Sequence, residues 1–202
     1  MKNVSIVASA VSLALVVAAS SPVLAESQTT TASVTVKNTF ELTIDKPLSF
    51  GEIRVKNDDN GTDPDTATVT VFADDAKAPI AASDGNASAQ ILTAGTPGEV
   101  SVSGVAAFTG LSIVLPTGPI DVDAASAPPG TPGFTLVVDD AFITSGTNAG
   151  KTYESGNSLL TADETGAASF NFGGILTTDV DAATGTYIDG EYTGSFAIEV
   201  NY

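Results

Sequence analysis

The sequence predicts an all-β protein, folded as a single antiparallel β-sandwich, and three observations carry that expectation. Short runs rich in Val, Thr, Ile and Phe alternate apolar and polar residues with period two, as half-buried strands do. Between them, 19 Gly and 10 Pro punctuate the chain. After Ala25, no stretch repeats apolar residues at i, i+3, i+4 and i+7 over a helical length. Many short strands divided by turn residues bury their apolar faces most simply sheet against sheet.

The first segment is different in kind. Lys2 is its only charge, Val4 to Ala19 is an apolar run, and Ser20, Ser21 and Pro22 follow. Val23-Leu24-Ala25 then places small residues at the −3 and −1 positions that a signal peptidase reads. The apolar run falls short of the roughly 20 residues that a spanning helix needs. Residues 1–25 are therefore expected to be a cleaved signal peptide, leaving no transmembrane segment. The mature chain would begin at Glu26 and reach the cell surface or the medium through the periplasm. An N-terminal extension is expected over 26–37 and the sandwich over 38–202.

The strand signals follow in order. Val34 to Val36 and Phe40 to Ile44 form the first, Leu48 to Val55 the second and Ala67 to Ala73 the third. Later runs are Glu99 to Ser103, Leu111 to Leu115, Phe134 to Val138 and Ala168 to Phe172. The last runs from Tyr192 to Tyr202, where the even positions are apolar apart from Gly194. Asp121 to Gly133, which contains Pro128, Pro129 and Pro132, reads as a loop at one end of the sandwich.

Composition removes most chemistry. The chain has 24 Asp+Glu against 7 Lys+Arg, a net charge of −17, and neither His, Cys nor Trp. It therefore offers no Ser-His-Asp or Cys-His nucleophile and no imidazole or thiolate for a transition metal. The excess of acid opposes any general grip on nucleic acid, which needs Lys and Arg against phosphate. A disulfide is excluded too, so an exported domain must be held by its core. An outer-membrane barrel would need strands of about 9–11 residues and girdles of aromatics. Most runs here are shorter, and aromatics make up 6% of the chain.

Three segments together carry a family resemblance: Ser33 to Ile44 (SVTVKNTFELTI), Pro47 to Gly51 (PLSFG), and the exit from Gly185-Thr186-Tyr187 to the strand Tyr192–Tyr202. Together they resemble the secreted bacterial domain-of-unknown-function family 4402 over essentially the whole mature chain. A more distant likeness is to the spore coat protein U type pilins of archaic chaperone–usher systems. Those share the alternating N-terminal extension, a Leu-x-Phe-Gly segment and an alternating last strand ending in an aromatic. They also carry a Cys shortly before the Phe-Gly segment, and Phe40 to Ser49 contains none. The likeness implies an Ig-like, pilin-like sandwich that partners with other copies of itself.

Two sets of residues are candidate sites. The first is the loop holding Asp58, Asp59, Asn60, Asp63 and Asp65, whose oxygens could supply a calcium ion from one turn. Its order does not fit the EF-hand loop, and a solvated hairpin turn explains the same residues through their backbone tolerance. The second is the alternation Ala32, Val34, Val36, which Asn38 separates from Phe40, Leu42 and Ile44. Phe40, Leu42 and Ile44 suit the protein's own core. Ala32, Val34 and Val36 suit an extension that adds a strand to another subunit's open edge. The other reading is one long, bent first strand of a closed monomer.

The acidic pairs Asp74-Asp75, Asp139-Asp140 and Asp163-Glu164 could be posed as glycosidase carboxylates, but 24 acidic residues make such pairs common, and no Trp supplies a sugar platform. The sequence thus points to an exported, non-enzymatic structural protein without a cofactor, a pilin-like subunit of a surface filament or matrix. The alternative is a monomeric secreted adhesin-like binding module, steadied by calcium, whose ligand is a glycan or a surface partner.

Overall fold

The structure, a computed structural model, describes residues 29, 31–34, 40–58, 65–155, 160–179 and 186–201. The expected signal peptide lies outside them, as do Val36, Asp59, Asn60 and Asp63. The chain divides into two units, Met1–Val36 and Lys37–Tyr202. In the first, residues 31–34 carry no regular secondary structure.

The second unit is all-β among the described residues. In chain order its strands are β1 (Glu41–Lys46), β2 (Ser49–Lys56), β3 (Thr68–Val71), β4 (Ile80–Ala82), β5 (Ser88–Thr96), β6 (Gly98–Ser103) and β7 (Gly110–Val114). Then come β8 (Ile120–Ala124), β9 (Phe134–Ile143), β10 (Lys151–Thr152), β11 (Leu160–Thr161), β12 (Ala168–Thr178), β13 (Tyr192–Thr193) and β14 (Glu199–Asn201). The large sheet runs β1-β6-β12-β9-β8-β13, with β10 on β9 and the β3–β4 pair on β12. A three-stranded sheet, β11-β7-β14, and a two-stranded sheet, β2-β5, complete the set. The pairs between strands are antiparallel. The all-β, antiparallel class is thus as expected, while the pairing distributes the strands over three sheets and does not of itself define one sandwich.

Alternation decides which side chains enter the core. In β3, Val69 and Val71 are buried while Thr68 and Thr70 stay half-exposed; in β6, Val100 and Val102 are buried between Glu99 and Ser101. Leu111 and Ile113 of β7, Leu160 of β11 and Val200 of β14 meet Phe170 of β12 and Ile143 of β9 in one apolar cluster. The three-stranded sheet therefore packs on the large one. Phe50, Ile53 and Val55 of β2 and Ala89 and Ile91 of β5 pack on the same cluster but remain half-buried.

β12 organises the large sheet. One edge pairs with β9, while the other pairs first with β6 and then, from Gly174, with β3. The change of neighbour falls at Gly173, where the register with β9 also shifts. A Cβ on Gly173 would stand 2.3 Å from the Val71 carbonyl oxygen and 2.5 Å from the Ala73 nitrogen. Only glycine lets the end of β3 come that close. At the far end of β12, buried Thr178 is tied twice to Ala67: its N–H donates to the Ala67 carbonyl at 2.9 Å, and its Oγ1 accepts the Ala67 N–H at 2.9 Å.

Two expectations need correction. Asp121 to Gly133 is not all loop, because β8 takes Ile120–Ala124, with Val122 turned inward and buried. The closing segment is not one strand: β13 pairs with β8, β14 pairs with β7, and residues 194–198 between them have no strand partner among the described residues. Gly194 marks the departure, since a Cβ there would press 2.7 Å from the Asp121 carbonyl oxygen.

Candidate functional site

The break in the last strand borders a groove of about 1000 Å³, lined by both polar and apolar groups. One wall is Pro47–Val55, comprising β2 and the corner before it; the other is Tyr187–Phe196, together with Ile198. The floor belongs to the large sheet, through Val122 of β8, Phe134 and Leu136 of β9, and Phe172 and Leu176 of β12. β2 alternates Phe50, Ile53 and Val55 toward the core, with a bulge opposite β5 between Glu52 and Ile53 that re-phases the alternation. Ile44 and Leu92 also line the groove and remain 52% and 54% exposed.

An aromatic cluster closes one part of the groove. Phe134 stacks on Tyr187 with ring centroids 4.5 Å apart and meets Tyr192 edge-on at 5.1 Å. Farther along, Phe196 meets Phe172 edge-on at 5.9 Å, which holds residues 194–198 over β12 without strand pairing. The Tyr192 hydroxyl accepts the Ile188 N–H at 3.1 Å, so the turn before β13 is tied to the same ring. Burial pushes the Tyr187 phenol up to about 12. The charges on the lining are Glu52, Arg54, Asp189 and Glu191, an acidic surplus around an apolar floor.

One member of each acidic pair holds the backbone. Asp74 accepts the Ala76 N–H at 3.1 Å, and Asp140 accepts the Ala73 N–H at 3.0 Å. Asp163 accepts from the Thr165 hydroxyl at 2.6 Å, the Thr165 N–H at 2.8 Å and the Ala167 N–H at 3.0 Å. Those bonds, that of the Thr165 hydroxyl first, hold its carboxyl below the usual range. These are turn and edge contacts, with a different main-chain partner for each.

Of the calcium-loop candidates, Asp58 and Asp65 are described. Asp58 is 1% exposed, and its Oδ2 accepts the Asp65 N–H at 3.1 Å. Asp65 Oδ2 accepts the Asn86 N–H at 2.9 Å, tying the loop to the β4–β5 turn. Among the described residues, no group of three acidic side chains is placed to hold a metal ion. Of the strand-donor candidates, Ala32 and Val34 are described, and Val34 is 86% exposed.

The groove was not foreseen in the sequence. Its floor and walls come from β2, β5, β8, β9, β12 and the final segment, which are adjacent only after folding. The available signal was local: Gly194 interrupts the alternation that otherwise runs from Tyr192 to Tyr202.

The fold and the groove define a class: an all-β antiparallel domain with a groove between β2 and its closing segment. The family model for a domain of unknown function, DUF4402, matches residues 40–202, and the chain belongs to that family. No curated protein and no solved structure matches it. The likeness to spore coat protein U type pilins finds no counterpart in these matches. Among the described residues, no helix is long and apolar enough to cross a membrane.

Proposed function

We propose that this protein is exported and non-enzymatic, a pilin-like structural subunit of a surface filament or matrix that works without a cofactor. The observation that supports this reading is the groove between β2 and residues 194–198, two segments of which β2 pairs on one edge alone and 194–198 with no strand among the described residues. Adding an extended segment at such an edge gives affinity through main-chain hydrogen bonds and selectivity through alternate side chains. The mature protein begins at Glu26, outside the inner membrane, as the segment ending Val23-Leu24-Ala25 suggests.

Electron microscopy of the cell surface, with and without the gene, tests the structural role. Filaments or a surface layer that vanish with the gene and return on complementation are the expected result. A surface unchanged by its loss overturns the reading. N-terminal sequencing of exported material checks the route: Glu26 is expected, and Met1 in a membrane pellet contradicts it.

A further inference from the structure

We infer that the carboxamide of Asn86, at the tip of the β4–β5 turn, is an acceptor site for N-linked glycosylation during export. The inference goes beyond the structural role above and rests on its export route alone. The chain there reads Asp84-Gly85-Asn86-Ala87-Ser88. It contains the Asn-x-Ser acceptor triplet, with no Pro at the middle position. Asp84, two residues ahead of the Asn, adds a carboxylate that a cationic group in a transferase's peptide site can pair with. Of the nine Asn in the chain, Asn60 and Asn86 combine the triplet with that preceding carboxylate, and Asn60 lies outside the described residues.

The fold presents Asn86 outward. Asp84 and Ala87 form a bridge, the Ala87 N–H donates to the Asp84 carbonyl at 2.9 Å, and Gly85 and Asn86 make the turn between them. Gly85 takes φ +48°, which suits the first central position of a two-residue hairpin turn. Asp84, Asn86 and Ser88 are exposed, while Ala87 is buried and anchors the turn. The Asn86 main-chain N–H is held by Asp65, and its carboxamide makes no hydrogen bond among the described residues. A sugar on that nitrogen therefore displaces no hydrogen bond of the fold. The turn can also open to enter a transferase. β4 is three exposed residues that pair with β3 alone among the described residues, and Ser88 ends the β2–β5 ladder opposite Lys56.

The co-reactant is an oligosaccharide carried on a polyprenyl pyrophosphate. Asn86 Nδ2 attacks the anomeric carbon, so a C–N bond forms and the C–O bond to the pyrophosphate breaks. Nδ2 gives up one proton to a base of the transferase, and the polyprenyl pyrophosphate leaves with the electron pair. No oxidant or reductant is needed. The Ser88 hydroxyl supplies the hydrogen-bonding group that fixes the triplet in the enzyme. The product adds bulk beside β4, whose second edge has no strand partner among the described residues, and bulk there hinders edge-to-edge pairing.

The test uses the exported protein, purified from its own cells. Its N-terminus is sequenced, and the peptide spanning Asp84 to Ser88 is weighed and fragmented by mass spectrometry. An added mass of whole sugar residues on Asn86 is expected. It should vanish with Asn86→Gln and with Ser88→Ala, and fall with Asp84→Asn, which removes the charge and keeps the size. Asn86→Gln retains the main-chain N–H bonded to Asp65. Made in a host without the transferase, this variant and wild type should therefore melt at the same temperature, which separates loss of sugar from loss of fold.

A bare Asn86 in chains that begin at Glu26 overturns the inference and leaves export and the structural role standing. Sugar carried on Ser88, sugar confined to Asn60, or sugar that stays on Asn86 after Ser88→Ala overturns it too. Chains that begin at Met1 refute export, and this site with it.

Discussion

The Tyr187 hydroxyl donates to the Gly133 carbonyl at 2.7 Å and so ties the segment before β13 to the residue ahead of β9. The same oxygen accepts the Asp179 N–H at 2.9 Å, just past the end of β12. With its ring stacked on Phe134, one side chain fixes three chain segments at the aromatic part of the groove.

Tyr187→Phe keeps the ring and removes both bonds, leaving a carbonyl and an amide without this partner. Such losses cost about 1–3 kcal/mol, and a protein of this size then melts about 3–10 °C lower. The variant also changes the pH profile. Because the folded phenol titrates near 12 rather than at 10.0, the unfolded chain loses this proton first as pH rises. The contribution is fully present below pH 10 and disappears as pH climbs toward 12. Thermal unfolding from pH 8 to 12 should show wild type losing stability over that window more steeply than Tyr187→Phe. Parallel profiles would contradict the assignment.

Gly173→Ala tests the bend in β12. The added methyl meets the Val71 carbonyl oxygen and the Ala73 nitrogen, both main-chain atoms that no rotamer change can move aside. Relief requires β3 to retreat, which also stretches the bond from the Ala73 N–H to Asp140. A cost of about 3 kcal/mol is expected, seen as a loss of roughly 6–12 °C in melting temperature. Gly118→Ala is the control, since a Cβ there meets nothing within 4 Å.

The same glycine explains how far the fold could be read in the sequence. Strands with strict alternation, such as those around Val69 and Val71 or Val100 and Val102, were legible because period two alone determines their buried face. β9 and β12 run farther than their alternation shows, for linked reasons. Asp139-Asp140 interrupts one and Gly173-Gly174 the other, and Asp140 pairs with Gly173, so both patterns break where the ladder itself is irregular. β8 reads as loop in the sequence because Asp121 and Asp123 flank its buried Val122. β5 gives no clear strand signal, because Ile91 and Leu92 are adjacent and small residues surround them, which blurs the alternation. The groove brings Leu48 and Ile198 into one lining, a relation that no local window contains.

The final prediction concerns the loop first considered for calcium. Asp65 does structural work within the fold: its carboxylate accepts the Asn86 N–H and lies against Gly85, where a Cβ would come within 1.5 Å of Oδ2. Gly85 also holds φ at +48°, a backbone setting that side chains resist. Asp65→Ala should therefore cost about 1 kcal/mol, a fall of roughly 2–4 °C, whether or not calcium is present. Gly85→Ala should cost more, because it adds backbone strain to a collision with Asp65, and an added Asp65→Ala should recover part of that loss. Binding to the folded state alone would raise the melting temperature with calcium concentration. With Asp58 and Asp65 already accepting main-chain N–H groups, millimolar calcium is expected to leave the melting temperature unchanged. A rise of several degrees that Asp63→Ala abolishes would instead show that the loop takes calcium and that these bonds yield to it.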